Sequence, residues 1–262
     1  MNHGARVTKA SYGRTLMSRT GACGRSRLAT LLSLVAASGF GTGLVWVRVA
    51  HTGSEQYGFL VWNLLLAWVP FILALWIYEA YRRGRRGLGL FVLGGFWLLF
   101  LPNGPYIVTD LLHVGGIGGP PFWHEVDKIG GAPLWYDAAM VAVFACVGLT
   151  LGLCSLFLIQ SVLLETAGPR VAWACVLAAI GLASVGMYIG RFLRLNSWDV
   201  FSEPMALLSP ARAFVADPLA TPRFLGVTVL FIASLTVLYV LLWNVAHIAL
   251  LRLDARRMRQ SR

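Results

Sequence analysis

The residues best suited to proton chemistry are an aspartate and a histidine that follow the third apolar segment of the chain. Asp110 and His113 stand three positions apart in Thr109-Asp110-Leu111-Leu112-His113. On a helix, that spacing places both side chains on one face. A carboxylate beside an imidazole can take up and release protons near neutral pH. We therefore predict Asp110 and His113 as catalytic residues.

A second set of residues is suited to binding an anion. Arg191 and Arg194 also stand three positions apart, at the end of the fifth apolar segment, and guanidinium groups bind carboxylates and phosphates through paired hydrogen bonds. Three roles fit these arginines: ion pairs with Asp110, Asp137 or Asp199, contacts with lipid headgroups, or binding of an anionic substrate. The predicted ligand-binding residues are Asn63, Asn103, Arg191, Arg194, Asn196 and Asp199.

A metal site is not predicted. The glycine-rich stretch after Asp110 contains His124, Glu125 and Asp127, which with His113 are side chains that metals accept. None of their spacings matches a metal-binding signature such as His-Glu-x-x-His. We therefore predict no metal ligands, and the sequence does not indicate whether a cofactor is used.

An interrupted helix must position the predicted catalytic pair. The apolar run from Leu88 to Leu101 is followed by Pro102-Asn103-Gly104-Pro105, and proline lacks the amide donor that a helix needs. At 1.5 Å per residue the run crosses roughly 21 Å of a hydrocarbon core of ~30 Å before the interruption. We expect a second short helix to begin there, capped by Asn103 or Gly104. A proline kink packed against neighbouring helices is the alternative.

Two further polar residues have both a functional and a structural interpretation. Asn63, in the second apolar segment, lies at nearly the same predicted depth as Asn103. We expect the two carboxamides to bond each other or a shared ligand, although such contacts also join helices within membranes. Asp137 opens the fourth segment, where the helix dipole favours an acidic side chain, and that structural role is sufficient to explain it.

The composition is that of an integral membrane protein. Of 262 residues, 58% are hydrophobic and 13% charged, with a mean hydropathy of +0.70, whereas soluble domains carry about 25% charged residues. We predict an all-α, polytopic membrane bundle of about six transmembrane helices, the third one interrupted. The predicted spans are about 28–50, 57–80, 88–110, 135–164, 170–190 and 223–250. In the fourth span, Gly148, Gly152 and Ser155 predict close approach of another helix.

The net charge of +11 is distributed unevenly along the chain. Most basic residues precede the first span or follow the second and the sixth. Most acidic residues lie in or beside the connections that follow the first, third and fifth spans. The positive-inside rule then puts both termini in the cytoplasm. We predict a basic disordered tail at 1–27, a transmembrane domain at 28–250 and a basic tail at 251–262. Membrane lipids are the expected partners, nucleic acid is not, and a membrane-protein partner or a second copy is left open.

Three stretches resemble one family. They are Phe-Leu-Pro-Asn-x-Pro-Tyr-Ile-x-Thr-Asp-Leu-x-His at 100–113, Gly-Arg-Phe-Leu-Arg-x-Asn-Ser-Trp-Asp at 190–199, and Leu-x-Trp-Asn-Leu-x-Leu-Ala-Trp-x-Pro at 60–70. With them the chain resembles a bacterial family of predicted multi-pass integral membrane proteins of unknown function. The resemblance implies the bacterial inner membrane but no activity, cofactor or substrate. Gly104 stands where this resemblance leads us to expect alanine, and we expect it to loosen the interruption.

Three functions fit these patterns. The first is an outward-facing polar site that binds or processes an anionic ligand, such as a phosphorylated lipid or an envelope precursor; the half-helix after the interruption would point its N-terminus at the anion. The second is a non-catalytic accessory or assembly subunit, in which the same residues form a buried hydrogen-bonded plug. The third is a small oligomeric transporter, although no internal repeat is visible. The sequence leaves open whether the protein is an enzyme.

Overall fold

The structure is a computed structural model that describes residues 20–114, 128–129, 132–202, 205, 209, 212–213, 216–217 and 221–260. Most of the predicted tail at 1–27 falls outside the described residues, and so do His124, Glu125 and Asp127. The first helix begins at Thr20, within the segment that we assigned to that tail.

The described chain consists of helices and their connecting turns, with one pair of two-residue strands. The helices are α1 Thr20–Thr52, α2 Phe59–Arg82, α3 Leu88–Phe100, α4 Asn103–Tyr106, a 3₁₀ helix Ile107–His113, α5 Leu134–Thr166, α6 Pro169–Tyr188, a π helix Ile189–Leu193, α7 Asp199–Ser202 and α8 Pro222–Gln260. Strands β1 Lys128–Ile129 and β2 Ala132–Pro133 pair antiparallel just before α5.

Six spans are long and apolar enough to cross a membrane in the part of the chain that the structure describes, which confirms the predicted fold class. They are Leu28–Thr52, Phe59–Arg82, Leu88–His113, Leu134–Thr166, Pro169–Leu193 and Pro222–Ile248. Each boundary lies within a few residues of its prediction, because a hydrocarbon core of ~30 Å demands about 20 apolar residues per helix.

The third span is interrupted where the prolines predicted it, but its backbone stays close to helical. α3 ends at Phe100, and Leu101 and Pro102 keep right-handed helical angles, with φ of −51° and −56°. The interruption therefore consists of lost hydrogen bonds, since proline has no N–H to donate. Pro102 occupies the N-cap position of α4, and no side chain caps that helix. The predicted cap by Asn103 or Gly104 is wrong.

The structure divides into two compact units, Met1–Cys175 and Val176–Arg262, with the boundary inside α6. In the first unit α5 is the central helix: it packs against α1, α2, α4 and the 3₁₀ helix. Its inward face is fully buried at Met140, Val141, Phe144 and Leu151, which explains why the longest span in this unit carries apolar residues along most of its length.

Glycines on both sides bring α4 against α5. A Cβ atom on Gly104 would lie 2.8 Å from Gly152 Cα and 3.1 Å from the Gly148 carbonyl oxygen. Any side chain there would force the two helices apart, so the predicted close approach at Gly148 and Gly152 is confirmed. Gly104 therefore has a packing role instead of the loosening role that we expected.

Ser155 extends the same contact to α3. Trp97 Nε1 donates a hydrogen bond to Ser155 Oγ at 3.2 Å, and Ser155 Oγ donates to the Gly152 carbonyl at 2.8 Å. Trp97 is the buried residue of α3, whose other side chains are largely left to the lipid. The indole N–H thus finds its partner inside the bundle, where no water is available.

The second unit comprises the rest of α6, the π helix, α7 and α8. At the junction of α6 and the π helix, the Tyr188 ring lies 4.8 Å from the Phe192 ring and 5.0 Å from the Phe224 ring of α8. These aromatic contacts join the end of the fifth span to the beginning of the sixth.

Candidate functional site

An arginine and an aspartate form a buried ion pair where α1 ends and α5 begins. Arg48 Nε lies 2.7 Å from Asp137 Oδ1, and Arg48 Nη2 lies 3.2 Å from Asp137 Oδ2, so both carboxylate oxygens are bound. Both side chains have 0% exposure. The helix dipole is therefore not a sufficient explanation of Asp137. This carboxylate, which we offered as a partner for Arg191 and Arg194, is already paired.

Tyr57 connects the ion pair to the end of the third span. Its ring centroid lies 4.6 Å from Arg48 Cζ, and its hydroxyl donates to the main-chain carbonyl of His113 at 3.2 Å. Burial raises the pKa of the Tyr57 phenol to about 12; the negative charge of Asp137 adds to the rise and Arg48 opposes it. The phenol therefore remains a neutral donor across the physiological pH range.

Asp110 and His113 lie side by side, as their spacing predicted. Asn63 Nδ2 donates to Asp110 Oδ2 at 2.8 Å, and His113 Nδ1 lies 3.8 Å from Asp110 Oδ1. The second distance is too long for a hydrogen bond but lies within the range of an ion pair. The Asp110 side chain is 1% exposed and that of His113 is 26% exposed. The Phe59 ring lies 5.1 Å from the imidazole.

This arrangement suits proton transfer at the imidazole. If Nδ1 carries its proton toward Asp110, Nε2 presents a lone pair, and the buried carboxylate stabilises the imidazolium that forms when Nε2 accepts a proton. Asn63 holds the Asp110 carboxylate in place, and the carboxylate in turn orients the imidazole of His113, as a third group orients the base in other catalytic sites. We call the connected set Arg48, Tyr57, Asn63, Asp110, His113 and Asp137 the polar cluster.

Asn103 bonds the backbone of its own segment. Its Nδ2 donates to the Phe100 carbonyl at 2.9 Å, while the partner of Asn63 is Asp110. In a continuous helix the Phe100 carbonyl would accept from the Gly104 N–H, which here donates to the Leu101 carbonyl at 3.3 Å instead. Asn103 therefore stabilises the interruption itself.

The remaining predicted ligand-binding residues belong to the second unit. Asp199 Oδ2 accepts from the Asn196 backbone N–H at 2.6 Å and from Asn196 Nδ2 at 3.5 Å, which closes the turn before α7. Arg194 is exposed, has φ of 58° in the left-handed region, and forms no ion pair with the residues that the structure describes. Arg191 is half-buried in the π helix. The predicted meeting of the fifth span with Asn63 and Asp110 stays a prediction.

Sequence reasoning missed Arg48 and Tyr57 and undervalued Asp137. A usable signal was present for Arg48, which interrupts Trp46-Val47-Arg48-Val49 near the end of an apolar helix. A cation at that depth requires a carboxylate. Asp137, at the beginning of another span, has the depth to supply one. Tyr57 gave no such signal, because a tyrosine at a membrane boundary is ordinary.

Within the described ranges, no three His, Cys, Asp or Glu side chains are close enough together to hold a metal ion. His124, Glu125 and Asp127, which we considered as metal ligands, lie outside those ranges.

A family model described as a protein of unknown function (DUF1361) matches residues 62–247. The match includes Asn63, Asp110, His113 and Asp137 of the polar cluster; Arg48 and Tyr57 precede it. Comparisons with curated proteins and with solved structures found no match.

Proposed function

The chain belongs to the DUF1361 family, and we propose that it binds an anionic, phosphorylated lipid or envelope precursor at an outward-facing site where His113 and Asp110 transfer a proton. The proposal places the protein in a bacterial inner membrane with both termini in the cytoplasm. Asp110 and His113 then lie at the outer surface, because the third span runs outward in that topology.

The observation that carries the proposal is the contrast in exposure between the two side chains. Asp110 is almost completely buried and held by Asn63, whereas a quarter of the neighbouring imidazole is accessible. A buried carboxylate is costly unless it is bound by donors. A structural role alone does not require the accessible imidazole to lie beside that carboxylate. This arrangement supports a histidine that is oriented from behind and meets a ligand in front.

Binding by matched histidine variants tests this proposal. Wild type, His113→Gln and His51→Gln would be placed in phosphatidylcholine nanodiscs and titrated with polyprenyl phosphate. His51 is an exposed histidine at the end of α1 and serves as the control. We expect about tenfold weaker binding for His113→Gln, as for loss of one hydrogen bond to a charged group, and no change for His51→Gln. Equal affinity in all three proteins would contradict the proposal.

The buried ion pair favours a second function, that of a structural or assembly subunit. Arg48 binds both carboxylate oxygens of Asp137, and the Tyr57 hydroxyl connects this pair to the third span. Much of the polar cluster therefore has its hydrogen-bond partners within the protein. Under this alternative the cluster is a plug that fixes the helix ends. His113→Gln would then lower the melting temperature without changing the affinity for any anionic lipid.

A further inference from the structure

A groove in the second unit lies between the end of the fifth span and the beginning of the sixth. Its volume is about 410 Å³, and its lining includes Tyr188, Leu193, Ser209, Thr221, Arg223 and Phe224. This size falls within the range of small-molecule sites, roughly 300–1,000 Å³. The fifth span ends at Leu193 and the sixth begins at Pro222. The groove therefore lies at the boundary of the hydrocarbon core, where lipid headgroups lie.

An arginine stacked on an aromatic ring provides the charge of this groove. Arg223 Cζ lies 4.3 Å from the centroid of the Phe192 ring, and Phe192 in turn packs against Tyr188. Arg223 forms no ion pair with any residue in the described part of the chain. A guanidinium stacked on a ring keeps its N–H donors available at its edge. The groove thus offers a positioned cation.

The surface next to the groove is apolar. Leu193 is 40% exposed, and Leu230, two turns along α8 on the same face as Arg223, is 61% exposed. A molecule with an anionic group at Arg223 would therefore lay an apolar portion along α8. Free phosphate has no apolar portion, whereas a phospholipid has an anionic headgroup and apolar acyl chains.

We propose that this groove binds the headgroup of an anionic phospholipid, with Arg223 on the phosphate and an acyl chain along Leu230 of α8. The site does not depend on the proposed proton transfer, because its lining residues belong to the second unit and the polar cluster belongs to the first.

Native mass spectrometry of the full chain with added phosphatidylglycerol tests the site. The variants are Arg223→Gln and, as a control, Arg212→Gln, an exposed arginine that is not part of the lining. We expect five- to tenfold weaker binding, about the effect of one basic residue at a membrane surface, for Arg223→Gln only. Phosphatidylcholine should bind weakly to all three proteins.

Three results would overturn the proposal. Unchanged binding by Arg223→Gln would show that the arginine does not hold the headgroup, and an equal loss in Arg212→Gln would indicate diffuse charge attraction in place of a site. Displacement of the lipid by millimolar inorganic phosphate would assign the groove to a free anion.

Phe192→Leu keeps the charge and removes the stacking ring; we expect two- to threefold weaker binding. Melting temperatures of all variants verify that they are folded.

Discussion

The buried pair of Arg48 and Asp137 joins α1 to α5 through two hydrogen bonds at the end of the bundle that also holds Asp110. Removing one partner leaves the other charge buried and unpaired. We expect Arg48→Gln or Asp137→Asn to lower the free energy of unfolding by about 3–5 kcal/mol. Thermal unfolding in detergent measures this change. The exposed pair of Arg83 and Glu79 gives a control, because Arg83→Gln should cost under ~1 kcal/mol. Equal, small losses of stability for variants of both pairs would show that the Arg48–Asp137 pair does not stabilise the fold.

Tyr57 provides a prediction about pH. Its pKa is about 12 in the folded protein against an ordinary value of 10.0, so folding favours the neutral phenol. The contribution of this group to stability is complete below pH 10 and is lost as the pH rises toward 12. Wild type should therefore lose more stability than Tyr57→Phe between pH 10 and pH 12. The difference between their melting temperatures across that range is the measurement, since the other titrating groups are common to both. Parallel curves would show that Tyr57 does not titrate as described.

Single residues also show the limit of reading the sequence. The spacing of Asp110 and His113 predicted their proximity correctly, because both belong to one short helical segment. The partner of Asn63 could not be predicted, because it lies on another helical segment. Side-chain pairing across helices depends on their rotation about their own axes, which hydropathy does not report.

At the scale of helices, the interruption of the third span depends on its packing against α5. Gly104→Ala would push a methyl group to within 2.8 Å of Gly152 Cα. Such overpacking costs about 1–3 kcal/mol, and we expect a corresponding loss of stability in detergent. Gly94→Ala in α3 is the matched control: nothing lies within 4 Å of its added Cβ, and alanine favours the helix by about 0.5–1 kcal/mol. A Gly104→Ala protein as stable as Gly94→Ala would contradict the close contact.

The prolines predicted where the third span is interrupted, but not how the backbone passes through it. Pro102 and Pro105 remove two donors, yet α4 and the 3₁₀ helix continue in right-handed helical conformation. The Gly104 N–H donates to the Leu101 carbonyl, the Asn103 side chain donates to the Phe100 carbonyl, and α5 supports the segment. Local sequence specifies the missing N–H groups. The surrounding helices decide whether their loss unwinds the chain.

For the whole molecule, the spans were predictable because lipid imposes a length and a polarity on every crossing helix. Their arrangement was not, since helices in lipid associate through close packing and a few hydrogen bonds. Gly148, Gly152 and Ser155 marked such contacts in the sequence beforehand.

The proposed orientation can be tested with reporter fusions. The distribution of basic residues predicts a cytoplasmic signal from a reporter after Arg262 or within 82–86, and an exterior signal from one within 115–132. A reporter that becomes active only when exported, paired with one active only in the cytoplasm, gives each site a positive readout. A cytoplasmic signal from 115–132 would reverse the orientation and place Asp110 and His113 on the inner face.

The central claim is that His113, supported by Asp110, meets an anionic ligand. Its most direct test is the imidazole resonance of His113 in histidine-labelled protein in phosphatidylcholine nanodiscs, assigned among the 5 histidines by His113→Gln. Adding polyprenyl phosphate should shift this resonance in a saturable way, and the shift should be much smaller in Asp110→Asn, whose side chain is neutral. No shift at saturating ligand, in a wild-type protein whose melting temperature shows that it is folded, would contradict the claim and leave the polar cluster as a structural plug.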